Sequence, residues 1–164
     1  MAKKKMDTVI KIPSKCTSDE LDKFQKLVVE GGEVTSYRLR QRIEQAAALV
    51  FIGESECVAV GAIKNPNQSY KQGVFSKAGI ANQSNNYIYE LGWLYVAPAA
   101  RGKGIGHSLM QAVASYIGSV GCYATTREDN NAMHNLFSQY NFSRIGAPYT
   151  STNGYSLVLY ASKS

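Results

Sequence analysis

The sequence predicts a mixed α/β fold of the α+β kind, built on a partly antiparallel sheet. Two observations carry this. Short apolar or alternating runs ("ALVFIGESECVAVGAIK", "YIYELGWLYV", "CYATTR", "YSLVLYAS") recur along the chain. Between them lie segments whose apolar residues fall three or four apart, the period of a helix face. At 164 residues the chain has the length of one domain, enough to bury a core without disulfides. A single domain over residues 1–164 is expected, with residues 1–7 as a flexible tail. The opening "MAKKKMDTVI" has charge but no apolar run behind it, so it reads as solvated tail rather than secretory leader.

"TSDE" (residues 17–20) fits a capping box, followed by Leu21, Phe24, Leu27 and Val28 at helical spacing. Gly31 and Gly32 end that helix. A second helix is expected over residues 35–47, with Leu39, Ile43 and Ala47 one turn apart. Two apolar runs around "GESE" then read as a β-hairpin. Residues 65–86 are polar and read as a long loop, or a loop holding a short helix; loops of that length often cover a site. Residues 87–96 read as a long strand that Pro98 ends. A helix begins at the next glycines, marked by Ile105, Leu109, Ala112, Val113 and Tyr116. "CYATTR" is a short strand. Met133, Leu136, Phe137 and Tyr140 mark a last helix, capped by Asp129 or Asn130, and "FSRIG" and "YSLVLYAS" are closing strands.

Composition excludes several classes. No apolar run approaches the roughly 18 residues of a membrane span. Cys16, Cys57 and Cys122 are odd in number and widely spaced, and only His107 and His134 are there to join them. That argues against a metal site and fits small core residues in a reducing cytoplasm. The formal net charge of +6 admits an anionic ligand, an acidic partner or nucleic acid. The cations are scattered, however. Arg38, Arg40 and Arg42 stand two apart, a spacing that makes no single helical stripe, and they read as a solvated face.

"VAPAARGKGIG" (residues 96–106) is the most informative stretch. It places three glycines and two cations between a strand and a helix. The first N–H groups of a helix lack internal partners, and the helix dipole is positive there. Glycines let an anion approach those groups, and Arg101 and Lys103 add charge, so the stretch suits a phosphate or pyrophosphate. A Walker loop needs wider glycine spacing and a following Lys-Ser/Thr. A dinucleotide fingerprint needs a third glycine where His107 stands, and an acid about 20 residues on at a strand end; neither is present.

What remains is R-x-x-G-x-G at Arg101, Gly104 and Gly106, after a strand ending V-x-P. With it, "LYVAPAARGKGIGHSLM" resembles the acetyl-CoA-binding motif of the GNAT-type N-acetyltransferases, and the element order resembles that family over most of the chain. The resemblance implies a mixed, mostly antiparallel central sheet flanked by helices and splayed at the acetyl-CoA site. It implies that Arg101, Gly102, Lys103, Gly104, Ile105 and Gly106 hold the CoA pyrophosphate. It implies a bulge in the long strand, where backbone groups of Leu94, Tyr95 and Val96 pair with the pantetheine arm and an amide polarises the thioester.

Attack on the thioester needs a neutral amine, and a lysine-like amine has a pKa of about 10.4. A base is therefore useful, directly or through water. Glu90 lies six residues before Val96, the spacing at which histone-type members place their base. It is also the only acid between Glu56 and Glu128, in an aromatic strand. The reading is base or amine anchor, against a carboxylate paired for structure. "NNAMHNLFSQYNF" is similar to the family's second motif, which puts Asn130 on the CoA-contacting asparagine and Phe137 on the usual tyrosine. Phe137 cannot protonate the leaving thiolate. Tyr140 is the substitute acid carried forward, with Ser138 and His134 near. Met133 and Asn141 also depart from the motif; asparagine accepts the left-handed conformation of the glycine it replaces.

The acceptor is expected opposite CoA, lined by the first two helices, residues 65–86 and the final hairpin. Tyr70, Tyr87, Tyr149 and Tyr155 suit a polar small molecule or a peptide there, or are plain surface aromatics. Acetyl-CoA is the expected co-substrate, with no metal. The alternatives are a non-catalytic acyl-CoA-binding or regulatory domain and, less favoured because no reader motif is present, a basic nucleic-acid-binding module. The resemblance leaves a homodimer open.

Overall fold

The computed structural model describes residues 6–32 and 34–162. The chain folds as two compact units. One runs up to Lys64 and includes Gly92–Val113; the other holds Asn65–Leu91 and everything from Ala114 onward. Among the described residues the strands β1 (Asp7–Lys11), β2 (Ala48–Gly53), β3 (Cys57–Lys64), β4 (Tyr89–Val96), β5 (Cys122–Arg127), β6 (Phe142–Thr150) and β7 (Ser156–Ser162) stand in the order β1-β2-β3-β4-β5-β7-β6, with β4 passing from one unit into the other. Pairing is antiparallel at β1–β2, β2–β3, β5–β7 and β6–β7, and parallel at β4–β5.

In the first unit β1 (Asp7–Lys11) pairs with β2 (Ala48–Gly53), and β2 forms the expected hairpin with β3 (Cys57–Lys64). The strand β1 takes in Asp7, the last residue of the expected tail. Residues 1–5 lie outside the described residues, but Asp7 already sits opposite Gly53. The run "DTVIK" is too short for periodicity to announce a strand.

Helix α1 (Ser18–Gly31) starts as its sequence predicts. The Thr17 hydroxyl accepts from the Glu20 amide at 3.1 Å, and the Glu20 carboxylate accepts from the Thr17 amide at 2.9 Å. Gly32 caps it with φ 78°. Helix α2 is shorter than expected, Leu39–Glu44 rather than residues 35–47. Arg38 has φ 50°, which stops the helix on one side. On the other, the Ala47 amide donates to Ile63 O of β3 at 2.8 Å, and the chain turns into the sheet. Phe24, Leu27, Val28, Leu39, Ile43, Leu49 and Val60 fill this core, each worth about 1.5–3 kcal/mol on full burial. Arg40 is tied to Asp22 and Glu44 at 2.8 and 3.2 Å, so the arginine cluster is indeed a surface face.

In the second unit the polar stretch holds α3 (Gln68–Lys77) and a 3-10 turn over Ala81–Asn86. Asn67 caps α3 by accepting from the Tyr70 amide at 2.7 Å. Its buried stripe is only Lys71, Val74 and Phe75, which is why it has no visible helical pattern. Lys71 is buried with its ammonium donating to Tyr87 O at 2.8 Å. Strand β4 spans Tyr89–Val96, two residues shorter than expected. Then come α4 (Ile105–Ile117), β5 (Cys122–Arg127), α5 (Asn131–Gln139), β6 (Phe142–Thr150) and β7 (Ser156–Ser162).

Strand β6 runs past "FSRIG" because it carries an irregularity between Ile145 and Tyr149. There Gly146 has φ 68°, and a Cβ on it would lie 2.7 Å from Ala78 O, so only glycine fits. The Ala147 amide donates to that same carbonyl at 2.9 Å, tying the bulge to the end of α3. Asn141 takes φ 69° between α5 and β6, as its place in the motif requires.

Candidate functional site

The glycine-rich stretch lies in the first unit. After Val96 the chain makes a 3-10 turn at Pro98–Ala100 and enters α4 at Ile105. Gly102 and Gly104 have φ 79° and 75°, and nothing lies within 4 Å of where their Cβ atoms would be. The left-handed backbone, rather than crowding, demands glycine there. Arg101, Gly102, Lys103 and Gly104 are exposed, and Gly106 is half-buried in the first turn of α4. Ile105 is buried and anchors the helix start. No acidic residue sits in that turn. Arg101 Nε donates to Val96 O at 3.0 Å, and its guanidinium lies 5.8 Å from the Tyr95 ring centre. That arginine thus fastens the loop to β4. The start of a 13-residue helix, approached through exposed glycines with Lys103 beside them, can hold an anion.

The expected irregularity in the long strand is at Trp93, with φ 52°. A bulky residue there is strained backbone, held because its side chain is fixed. The indole meets the edge of Phe24 at 6.2 Å, the Lys64 ammonium at 4.3 Å and the Arg42 guanidinium at 5.8 Å. Leu94, Tyr95 and Val96 follow, all half-buried. Leu94 packs so closely on Gly61 that a Cβ there would stand 2.8 Å from its Cδ2. The Tyr95 hydroxyl donates to Glu30 at 3.0 Å. The parallel register of β4 with β5 includes Tyr89↔Cys122 and Glu90↔Tyr123.

Glu90 lies in the second unit and is 4% exposed. The Tyr70 hydroxyl, from α3, donates to its Oε2 at 3.1 Å. Tyr123 of β5 and Tyr149 of β6 lie near enough to feel its charge. Burial first, then the Glu90 charge, pushes the Tyr149 phenol up to about 12 and raises that of Tyr123 further. Both stay protonated at any working pH. Tyr123 is fully buried, and its hydroxyl has no hydrogen-bond partner among the described residues. Sequence reasoning missed Tyr123 altogether; "CYATTR" offers no sign of which face its tyrosine takes. Burial likewise pushes the Cys122 thiol up to about 12, so that thiol is inert.

Around α5, Asn130 acts as the cap, its Oδ1 accepting from the Met133 amide at 3.2 Å. Phe137 is 1% exposed and packs on Tyr160 and Phe142, at 4.9 and 5.5 Å between ring centres. Tyr140 is half-buried at the C-terminal end of the helix. His134 has both ring nitrogens engaged. Nε2 faces Glu128 O at 2.8 Å, and since a carbonyl only accepts, Nε2 carries the proton and Nδ1 accepts from the Tyr160 hydroxyl. Among the described residues no group of three His, Cys, Asp or Glu side chains is placed to hold a metal ion, and no helix is long and apolar enough to cross a membrane.

These features sit on a fold with many solved counterparts. The family model described as the acetyltransferase (GNAT) family matches residues 16–142. The chain belongs to that family, and with it to the N-acetyltransferases. Its structure is similar to that of an acyl-CoA N-acyltransferase from Pseudomonas aeruginosa (17% identity, TM-score 0.67, covering 96% of this chain and 99% of that one). It is similar to FeeM, an N-acyl amino acid synthase from uncultured soil microbes (13%, 0.70, 97% and 92%). It is also similar to a GNAT family acetyltransferase from Elizabethkingia anophelis with acetyl-CoA bound (11%, 0.65, 99% and 100%). At these identities the likeness concerns the fold. No curated protein matches the chain.

Proposed function

We propose that the chain transfers the acetyl group of acetyl-CoA to a primary amine, by direct attack in a ternary complex. The observation that carries this reading is the loop between β4 and α4, whose exposed left-handed glycines give an anion access to the helix start beside Lys103. The acetyl-CoA carried by the Elizabethkingia protein supports the same donor here. The name of FeeM, an N-acyl amino acid synthase, supports an amine acceptor.

In this reading Arg101–Gly106 hold the pyrophosphate, and Asn130 and Phe137 border the pantetheine arm. Backbone groups of Leu94, Tyr95 and Val96 pair with that arm, and one amide stabilises the oxyanion. Glu90 takes the amine's proton. The C–N bond forms at the acetyl carbonyl, and collapse of the tetrahedral intermediate breaks the C–S bond. Phe137 has no proton to offer. The thiolate leaves unaided, which a thiol pKa of about 8.5 permits, or Tyr140 protonates it. Three free thiols suit a reducing cytoplasm, where we place the protein.

Calorimetry with acetyl-CoA, followed by CoA-release assays over a panel of primary amines, tests this. Binding with turnover is expected. No binding sinks the donor assignment. Tight binding without turnover favours a second reading, a non-catalytic acyl-CoA-binding domain, which the buried Phe137 supports.

A further inference from the structure

A base must touch the proton it removes, and Glu90 is only 4% exposed. The Tyr70 hydroxyl donates to Glu90 Oε2 at 3.1 Å, and Tyr70 is 49% exposed. One phenol thus has its oxygen on the buried carboxylate and half its surface open. We propose that Tyr70 is a catalytic residue that carries the acceptor's proton to Glu90. This rests on Glu90 being the base.

The step balances without a phenolate. The Tyr70 oxygen accepts a proton from the ammonium while its own proton passes to Glu90 Oε2. One N–H bond and one O–H bond break, and two O–H bonds form. The amine is left neutral, Tyr70 is left neutral, and Glu90 is left as a carboxylic acid. After the product departs, the same two transfers run in reverse to a solvent water, so each turnover releases one proton. The hydrogen bond already points from Tyr70 to Glu90, as the first transfer requires.

Other groups facing the pair do not confuse the test. Tyr123 and Cys122 of β5 and Tyr149 of β6 are held protonated by burial, and the Lys71 ammonium of α3 is turned to Tyr87 O. The experiment is steady-state CoA release by the full chain, its Tyr70→Phe variant and its Glu90→Gln variant. The acceptors are n-propylamine, protonated near neutrality, and hydroxylamine, which is already neutral there. Calorimetry with acetyl-CoA serves as the folding control.

For Tyr70→Phe, kcat/KM for propylamine should fall about tenfold or more near pH 7. The loss should fade toward pH 10 and be slight with hydroxylamine, with acetyl-CoA affinity unchanged. Glu90→Gln should show the same pattern. An unaltered Tyr70→Phe beside an impaired Glu90→Gln overturns the relay and leaves the base. A loss equal for both acceptors at every pH also overturns it, since that is what a packing role would give. An unaltered Glu90→Gln removes the base assignment itself, and absence of transfer to either acceptor by the unsubstituted chain overturns both.

Discussion

The Arg101–Gly106 loop and the Glu90 cluster are opposites in physical design. The loop is exposed over residues 101–104 and is defined by backbone: two left-handed glycines, a helix start, and one arginine spent on Val96 O. The cluster centres on a buried carboxylate and is defined by side-chain oxygens, Glu90 among Tyr70, Tyr123 and Tyr149. A backbone site recognises charge and shape that every turnover shares. A buried side-chain site controls protonation, because low dielectric and neighbouring charge act on each group in it. The first suits an invariant donor and the second suits proton handling on a variable acceptor.

Substitutions should therefore separate the two. The largest effect is expected from Glu90→Gln. It should lower kcat/KM about a hundredfold at mildly acidic pH, where free amine is scarcest, and leave acetyl-CoA affinity as it was. Loss of acetyl-CoA affinity in that variant would break the division. Gly104→Val should do the reverse. Its φ of 75° is unfavourable for a β-branched residue by roughly 1–3 kcal/mol, and the added side chain covers the amides. Affinity for acetyl-CoA should fall about tenfold or more, as about 1.4 kcal/mol implies. Calorimetry reads this directly, and unchanged affinity would mean the loop is only a turn.

The same contrast explains what could be read in the chain beforehand. The loop was legible because its constraints fall on consecutive residues: glycine where φ is positive, a strand before it and a helix after it. The capping box of α1 and the left-handed Asn141 were legible for the same local reason. The cluster was not. Glu90 stood out as a lone acid, but Tyr70, Tyr123 and Tyr149 come from three elements far apart in sequence. Helix α3 was legible only as a short helix within a polar stretch, without its bounds, because its buried face includes a lysine, whose ammonium is satisfied by Tyr87 O only once the fold exists. Strand β1 and the short α2 were settled by pairing with β2 and by the pull of Ile63 O on Ala47, which no local pattern encodes.

The smallest expected effect concerns stability, at Tyr123. Its ring packs edge-on to Phe75 at 5.2 Å in the core of the second unit, yet its hydroxyl has no partner among the described residues. A buried hydroxyl left unpaired costs about 1–3 kcal/mol. Tyr123→Phe keeps the ring and removes that cost, so it should stabilise the fold by about 1 kcal/mol, raising Tm by about 2–4 °C for a chain of this size. Tyr70→Phe offers the contrast, since it removes a hydroxyl that is bonded to the buried Glu90, and it should lower Tm rather than raise it. Thermal unfolding of the two variants checks this. A Tyr123→Phe variant less stable than the parent would mean the hydroxyl is bonded in solution. Tyr123 would then join Tyr70 in the polar surroundings of Glu90, and the buried side of the comparison would be a connected network that includes the Tyr123 hydroxyl.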